Sequence, residues 1–328
     1  MKFLIAGFGS IGRRHFRNLL ALGERDIVVY RTGNSTLPVE ELNGFSVETE
    51  LEAALAHRPD GVVIANPTAL HLPTAIPAAQ GGASILMEKP VSSSLDGLNA
   101  LGAALEQGGG KLLMGYQFRF HPGLQKIADL LSEGAIGRPL SARAHWGEYL
   151  PNWHPWEDYR KSYSARSDLG GGVVLTLCHP LDYLRWLLGE VEGVWSIIGK
   201  ISDLEIQVED VAEIGLTFAS GAIASVHLNY YQRPATHTLE IAGTEGTIRW
   251  DNADGAVRLY RASKEMWEHF PAPASFERND LFLAELRNFI ACIKGEALPV
   301  CNLQDGVRSL QMALTAHESS RQGRVLKI

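Results

Sequence analysis

The chain of 328 residues lacks the features that mark several large classes of protein. Its three cysteines, Cys178, Cys292 and Cys301, are too few and too scattered for a disulfide framework or a structural zinc site. No apolar run approaches the roughly 20 residues that span a bilayer. No stripe of lysine or arginine offsets the formal net charge of −7, which argues against nucleic acid or an acidic membrane as partner. We therefore expect a cytoplasmic protein with neither partner.

The first third of the chain alternates short apolar runs with segments of helical periodicity. Apolar runs without polar alternation are typical of strands buried on both faces, as in a parallel sheet. The runs are Lys2–Ala6, Asp26–Tyr30, Gly61–Ala65, Ser84–Met87 and Lys111–Gly115, and the helical segments are Ser10–Leu22, Leu51–His57, His71–Gln80 and Ser92–Gln107. This order predicts an α/β fold, a doubly wound Rossmann domain over residues 1–118.

The pattern changes after that domain. Apolar and polar residues alternate in Asp210–Phe218 and Ala222–Tyr230, as in strands with one covered and one open face. Thr238–Ala242, Gly246–Trp250 and Val257–Tyr260 continue these strands, and two helices close the chain. We predict an α+β domain over residues 119–328 that has a large, mainly antiparallel open sheet and binds substrate. The half-polar strands favour a homodimer or homotetramer formed through this sheet.

The strongest local motif is Gly7-Phe8-Gly9-Ser10-Ile11-Gly12, which follows a predicted strand and opens a predicted helix. The three glycines allow a tight turn, close approach of a pyrophosphate and close packing of helix on strand. The first turn of the helix, with Ser10 and Ile11, offers free N–H groups to phosphates. These residues predict a dinucleotide site. A glycine-rich turn without a ligand is the alternative.

Arg31 lies at the end of the second predicted strand, where an acidic residue would hold the ribose of NAD. An arginine there matches a 2′-phosphate in charge and geometry. The sequence therefore predicts NAD(P) as cofactor, with NADP preferred over NAD. Arg31 stacked on adenine, or simply solvated, is the alternative.

Two further motifs follow predicted strands. Asn66-Pro67-Thr68, with His71 beyond it, follows the third, and Glu88-Lys89-Pro90 ends the fourth. Ligands of doubly wound sheets bind outside the carboxyl ends of the strands, so both motifs are expected to border the nicotinamide. The positive charge of Lys89 favours a developing alkoxide, although most lysines are solvated surface groups.

His179 is the best acid–base candidate of the second half. It can exchange a proton near neutral pH, and it follows the triple glycine Gly170-Gly171-Gly172. On a continuous helix it would share one face with Thr176 and Tyr183. A histidine buried in a helix–sheet core is the alternative.

The stretch from Trp146 to Arg166 is rich in aromatic and basic residues, among them Trp153, Tyr163 and Arg166. Such a set suits a polar or anionic ligand, for example a sugar acid or a nucleotide sugar, and equally suits a subunit contact. None of the eleven histidines lies in HExxH or another close metal-ligand arrangement, so no metal is expected.

Taken in order, these motifs resemble those of the glucose–fructose oxidoreductase, inositol dehydrogenase and rhizopine-catabolism (Gfo/Idh/MocA) family over almost the whole chain. The motifs are GFGSIG, Asn66-Pro67-Thr68 with His71, Glu88-Lys89-Pro90, Gly115-Tyr116-Gln117-Phe118-Arg119, and the triple glycine with His179 and Asp182. The resemblance implies that Lys89 lies by nicotinamide and substrate, and that His179 is the acid–base group. It also implies a frequent cis bond before Pro90.

The resemblance implies cofactor binding for Glu88 and Gln117 and substrate binding for Arg119 and Asp182. The region Tyr149–Arg166 looks most like that of family members in sugar-nucleotide and surface-polysaccharide pathways. One departure concerns the turn before His179, where the family usually has a carboxylate and this chain has Leu175 and Thr176. Asp182, three residues after His179, is the nearest replacement in sequence.

The sequence as a whole predicts an NAD(P)-dependent oxidoreductase acting on a secondary alcohol or ketone of a sugar, sugar acid, nucleotide sugar or cyclitol. His179 would move the proton and Lys89 would stabilise the reacting oxygen. The missing carboxylate motivates one alternative, a dinucleotide-binding sensor or regulator without turnover. A second alternative is an enzyme with tightly held NAD(P) that performs internal redox chemistry.

Overall fold

The computed structural model describes residues 1–33 and 39–328. Two compact units make up the chain. The first comprises Met1–Gln117 and Glu277–Val307, and the second comprises Phe118–Phe276 and Arg308–Ile328. The chain thus returns to the first unit at Glu277, whereas the sequence analysis places all of residues 119–328 in the second domain.

The first unit contains a six-stranded parallel sheet in the order β3-β2-β1-β4-β5-β6. Its elements are β1 (Lys2–Ala6), α1 (Ser10–Ala21), β2 (Asp26–Tyr30), β3 (Ser46–Glu48), α2 (Leu51–Ala56), β4 (Gly61–Ile64), α3 (His71–Gln80), β5 (Ser84–Glu88), α4 (Leu98–Gly108) and β6 (Leu112–Gly115). Strands β1, β4, β5 and β6 are buried almost throughout, as their unbroken apolar runs require. The predicted doubly wound parallel sheet is confirmed.

Two elements of this sheet differ from the prediction. The helix expected from Ser92 begins only at Leu98, because Gly97 has a φ of +83°, which a helix cannot contain. The short edge strand Ser46–Glu48 was not predicted. Its residues are exposed or half-buried, so it has no apolar run.

Beyond residue 117 the chain forms a nine-stranded sheet in the order β14-β13-β12-β11-β7-β10-β9-β8-β15. Its pairs are antiparallel except β7 with β10. The elements are α5 (Pro122–Ser132), β7 (Pro139–Tyr149), α6 (Val173–Thr176), α7 (His179–Leu188), β8 (Val191–Gly199), β9 (Val211–Phe218), β10 (Ile223–Asn229), β11 (Tyr231–Gly243), β12 (Gly246–Asp251), β13 (Val257–Arg261), β14 (Met266–Phe270), α8 (Arg278–Ile293), α9 (Leu303–Gln322) and β15 (Leu326–Lys327). The expected mainly antiparallel sheet is confirmed.

The nine-stranded sheet has one covered and one open face. Along β9, the alternate residues Ala212, Ile214, Leu216 and Phe218 are buried, and those between them are half-buried or exposed. On the open face, Trp195, Ile197 and Ile223 have exposed fractions of 41%, 63% and 57%. Apolar side chains exposed together on a sheet face are typical of surfaces that meet a partner.

Helix α8 belongs to the first unit because of its apolar face. Leu286 and Phe289 are fully buried, and the ring centroid of Phe289 lies 6.4 Å from that of Phe3 on β1. A helix with such a face is stable only against another apolar surface, here the parallel sheet. The apolar pattern predicts the helix but does not indicate which sheet it covers.

Among the described residues, no helix is both long enough and apolar enough to cross a membrane.

Candidate functional site

The glycine turn between β1 and α1 has the geometry that its motif predicts. Gly7 has a φ of +98°, and a Cβ there would lie 2.6 Å from the backbone nitrogen of Asn66. A Cβ on Gly12 would collide with the carbonyl oxygen of Gly7. Glycine is therefore required at both positions, one for the turn and the other for packing of the helix on the strand.

Gly9, the N-cap of α1, faces open space. A Cβ there would meet no atom of the described residues within 4 Å, and Gly9 has no side chain that could cap the N–H groups of the first turn, which contains Ser10 and Ile11. Asn66, whose backbone lies against Gly7, has a buried side-chain oxygen, Oδ1. This oxygen has no hydrogen-bond partner among the described residues. Free N–H groups, room for a ligand and an unsatisfied acceptor fit a dinucleotide whose phosphates lie on the helix N-terminus.

Arg31 follows β2 and is half-buried. Its backbone N–H donates to the carbonyl oxygen of Glu48 at 3.0 Å, which fixes the strand end. The side-chain Nε is buried and makes no hydrogen bond with the residues that the structure describes. This arginine is therefore held at the strand end that recognises the adenosine ribose in doubly wound folds.

His71 connects the two strand-end motifs. Its ring Nδ1 lies 2.8 Å from the carbonyl oxygen of Pro90, and its Nε2 lies 3.0 Å from that of Asn66. Burial lowers the pKa of His71, so a neutral ring donates to one carbonyl at a time. The structure thus shows His71 buried between two backbone carbonyls, with Pro67 half-buried next to Asn66. Cofactor binding by these residues stays a prediction.

Lys89 directly follows β5 and is half-buried, and its peptide bond to Pro90 is cis, as the family resemblance implies. Gln117, which follows β6, is buried. Lys89 therefore lies at the carboxyl end of a central parallel strand, the edge where ligands of this fold class bind.

Glu88 is part of a buried cluster that the sequence analysis missed. Its Oε1 lies 2.8 Å from Nε2 of His15 on α1. Glu285 on α8 is fully buried, and donor atoms of the three residues lie within 4.8 Å of one another. Burial, together with the charge of Glu88, raises the pKa of Glu285 well above its usual range. Nothing in the spacing of positions 15, 88 and 285 indicates that they meet.

In the second unit, His179 is the first residue of α7, and the expected continuous helix is wrong. Helix α6 ends at Thr176, and Leu177, with φ −99° and ψ 32°, separates it from α7. Contrary to the prediction, Thr176 and His179 therefore do not share the face of one helix. Tyr183 lies on the same helix as His179, one turn after it. Pro180 at the second position fits a helix start, since its missing N–H would be unsatisfied there in any case.

His179 lies in a group of rings, here named the aromatic cluster. It consists of Phe118, His121, Trp146, His179, His237 and Trp250. The His179 ring centroid lies 5.1 Å from that of Phe118 and 5.3 Å from that of Trp146, and the residue is 1% exposed. Burial lowers the pKa of His121 to about 4 and that of His237 well below its usual range. The cluster therefore forms an uncharged wall around His179 at neutral pH.

Arg119 and Asp182, both predicted to bind substrate, are joined in a buried ion pair. Nε and Nη2 of Arg119 donate to the two carboxylate oxygens of Asp182 at 3.0 and 2.7 Å. Their side chains are 5% and 2% exposed. A two-point pair of this kind fixes the first turn of α7, which carries His179, against the segment that follows β6. Substrate binding by either residue stays a prediction.

The triple glycine holds another segment of the chain. The N–H of Gly171 donates to the carbonyl of Arg166, and that of Gly172 donates to the carbonyl of Ser164. A Cβ on Gly171 would collide with the carbonyl oxygen of Tyr163, so only glycine permits this approach. The motif thus fixes the aromatic and basic segment by its backbone.

The three substrate candidates of that segment have different surroundings. Trp153 is half-buried, its ring lies 5.5 Å from that of Tyr230, and its Nε1 has no hydrogen-bond partner among the described residues. Tyr163 is half-buried. Arg166 is exposed and its Nη2 pairs with Asp168 at 2.5 Å. Their roles in binding stay predictions.

Glu209 lies on the other side of the triple glycine. A Cβ on Gly172 would collide with its carboxylate, and its Oε1 accepts the N–H of Val174, at the start of α6, at 3.3 Å. Nε2 of His317 lies 3.6 Å from the same oxygen. Burial raises the pKa of Glu209 to about 7.

Replacing Glu209 by glutamine is expected to remove a pH dependence of stability. The folded pKa of about 7 lies above that of the unfolded chain, so Glu209 favours folding less as the pH rises through this window. The free energy of unfolding of Glu209→Gln minus that of the wild type should therefore be roughly 2–3 kcal/mol larger at pH 8 than at pH 4. Urea unfolding at both pH values measures this. The exposed Glu205→Gln is the control, and a difference that stays constant with pH would contradict the argument.

Two family models match the chain. Residues 1–116 match the model described as the oxidoreductase family with an NAD-binding Rossmann fold. Residues 124–249 match the GFO/IDH/MocA C-terminal domain. The chain belongs to the Gfo/Idh/MocA oxidoreductase family. Its first domain is of the NAD-binding type, in agreement with the glycine turn.

Individual members of the Gfo/Idh/MocA family are similar over most of this chain. A 1,5-anhydro-D-fructose reductase from Ensifer adhaerens is 27% identical over 304 residues, which are 90% of this chain and 84% of the relative. A myo-inositol 2-dehydrogenase from Thermotoga maritima is 25% identical, and the match covers 100% of this chain and 98% of the relative. The structure of a levoglucosan dehydrogenase in complex with NADH has a TM-score of 0.88 at 21% identity, with 100% and 99% covered, and supports the fold.

Proposed function

We propose that this chain transfers a hydride between NAD(P) and a secondary alcohol or ketone of a sugar, sugar acid, nucleotide sugar or cyclitol. The observation that carries the proposal is the open glycine turn at Gly9, with Lys89 at the carboxyl end of a central strand of the same unit. The named relatives that act on an anhydrofructose and an inositol support the substrate class. The nicotinamide, when bound, supplies or accepts the hydride.

Lys89 is proposed to stabilise the reacting oxygen. Its ammonium group donates hydrogen bonds and carries a positive charge, so it favours the oxygen when that atom carries alkoxide character. The half-buried position strengthens this interaction relative to one in bulk water.

His179 is proposed to take the hydroxyl proton or to return it. The ion pair of Arg119 with Asp182 fixes the start of α7, and the rings of Phe118 and Trp146 limit the orientations of the imidazole. A histidine held in this way can exchange a proton with the hydroxyl of a bound substrate.

The test of the proposed reaction is the change in absorbance of NADPH or NADH with a panel of sugars, sugar acids and cyclitols. A steady rate with at least one of them supports the proposal. Binding of nucleotide without any turnover would support the sensor alternative instead. Nucleotide that copurifies and cannot be dialysed away would support internal redox chemistry.

We further propose that NADP is preferred over NAD through Arg31. Replacing Arg31 by alanine is expected to weaken NADPH binding by about 10- to 100-fold, since a charge-assisted hydrogen bond to a phosphate is lost, and to leave NADH binding almost unchanged. Fluorescence titration of both nucleotides measures this. Arg25→Ala, at an exposed position directly before the strand that Arg31 follows, is the matched control. Equal losses for both nucleotides would contradict the preference.

We also propose a homodimer or homotetramer formed through the open face of the nine-stranded sheet. Three exposed apolar residues on the strands that flank β9 support it, since a second copy would cover them: Trp195 and Ile197 on β8 and Ile223 on β10. Sedimentation velocity gives the subunit number, and a monomer at micromolar concentration would contradict this proposal.

A further inference from the structure

The buried cluster of His15, Glu88 and Glu285 is used by none of the steps above. Glu88 directly precedes Lys89, and the residue is 9% exposed. Its carboxylate lies 2.8 Å from His15 Nε2, and His15 is fully buried on α1. This hydrogen bond therefore ties the residue before Lys89 to the helix whose N-terminus is Gly9.

The fold leaves room for this carboxylate. At the end of β6, a Cβ on Gly115 would lie 3.1 Å from Glu88 Oε2 and 3.0 Å from Glu88 Cα. Any larger residue would press on Glu88. A glycine at this strand end thus allows the carboxylate of Glu88 to lie inside the unit.

The hydrogen bond within the cluster has one direction. A carboxylate oxygen only accepts, so the Nε2–H of His15 donates to Oε1 of Glu88. Nδ1 has no hydrogen-bond partner among the described residues, and the ring lies edge-on to Phe282 at 6.0 Å. Burial next to Glu88 raises the pKa of Glu285 well above its usual range, which favours the uncharged acid at this position.

We propose that His15 and Glu88 are positioning residues, which fix the backbone of Lys89 relative to the dinucleotide-binding helix, with Glu285 as an uncharged neighbour. The inference rests on the proposed function, in which Lys89 acts on the reacting oxygen. Both ends of the link are rigid, because Glu88 is the last residue of a central strand and His15 is in the second turn of α1. A displacement of 1 Å at such a group can lower a rate by about 100-fold.

The same three residues could offer ligand atoms to a metal ion, but the geometry favours a hydrogen bond between His15 and Glu88 over metal binding. His15 and Glu88 already satisfy each other at hydrogen-bond distance, and a structural zinc site takes four protein ligands where this cluster has three. Elemental analysis of the purified protein decides this point. A stoichiometric metal that is lost in Glu285→Gln would overturn the proposal.

The kinetic test replaces His15 by leucine and by glutamine. Leucine removes the N–H donor and is expected to lower kcat about tenfold or more, with KM for sugar and nucleotide changed less than about threefold. Glutamine keeps an N–H donor and should restore most of kcat. His57→Leu is the matched control, since His57 Nε2 lies at the same 2.8 Å from a carboxylate, that of Glu48, in the same unit. An unchanged kcat in His15→Leu would overturn the proposal.

A second measurement does not depend on turnover or on the folding of His15→Leu. The chain has nine lysines, so reductive ¹³C-methylation gives few NMR signals, and Lys89→Met assigns that of Lys89. In Glu88→Gln, which weakens the hydrogen bond but keeps the shape of the side chain, the Lys89 signal should shift. In His15→Gln, which keeps an N–H donor, it should stay close to its wild-type position, and the signal of Lys111 should stay unchanged in both variants. If no sugar is turned over, the proposed function fails and this signal still reports the link. A Lys89 signal that does not move in Glu88→Gln overturns the inference.

Discussion

Replacement of Lys89 by methionine is expected to lower kcat by about 100- to 1,000-fold, the usual cost of removing one donor to a developing oxyanion. Methionine retains the length and apolar stem of lysine but has neither the charge nor the N–H groups. The loss should therefore fall on the chemical step. Nucleotide affinity should change much less, because the glycine turn and the N-terminus of α1 hold the phosphates by their backbone.

Steady-state kinetics with the best sugar of the panel, together with fluorescence titration of the nucleotide, measure both effects. Lys111→Met, at an exposed position of the same unit, is the control for loss of a lysine. Turnover in Lys89→Met at the wild-type rate would show that the reacting oxygen is stabilised by another group.

The second large effect is expected on stability. Replacing Arg119 by methionine leaves the carboxylate of Asp182 buried without its cation, which costs about 3–5 kcal/mol of the free energy of unfolding. The double variant Arg119→Met with Asp182→Leu removes both charges and should recover most of this loss, because apolar pairs of similar volume often replace buried ion pairs without cost. Urea unfolding of the three proteins measures the difference.

The exposed pair of Arg166 with Asp168 is the control for this experiment. Replacing Arg166 by methionine should change the free energy of unfolding by less than about 1 kcal/mol, since solvent screens that pair. If Arg119→Met is as stable as the wild type and only KM for the sugar rises, the sequence-based assignment of Arg119 to the substrate is correct and the stability argument fails.

Local patterns predicted most of the fold because each reports a local cause. Apolar runs of strand length gave β1, β2, β4, β5 and β6 within a residue at each end, since burial on both faces leaves no polar position. The edge strand Ser46–Glu48 has no such signature. The destination of α8 depends on which surface fits its apolar face, and periodicity cannot report that.

The candidate site shows the same division. GFGSIG predicts a turn because the glycines act within six residues. The aromatic cluster around His179 joins Phe118 to Trp250, and the buried acid of Glu285 meets Glu88 across almost 200 residues of chain. Such meetings follow from tertiary packing alone. The break at Leu177 was also missed, although Pro180 could have indicated it, because proline lacks the N–H that a continuous helix would donate to the carbonyl of Thr176.

The triple glycine holds the segment before it by main-chain hydrogen bonds, so the position of that segment does not depend on its side chains. Main-chain hydrogen bonds from Gly171 and Gly172 hold the backbone at Ser164 and Arg166. Side chains such as Tyr163 and Arg166 can then be exchanged without moving their Cα positions. A library confined to these two positions would therefore test their proposed part in substrate binding while the glycines keep the backbone in place, whereas a Cβ at Gly171 would collide with that backbone.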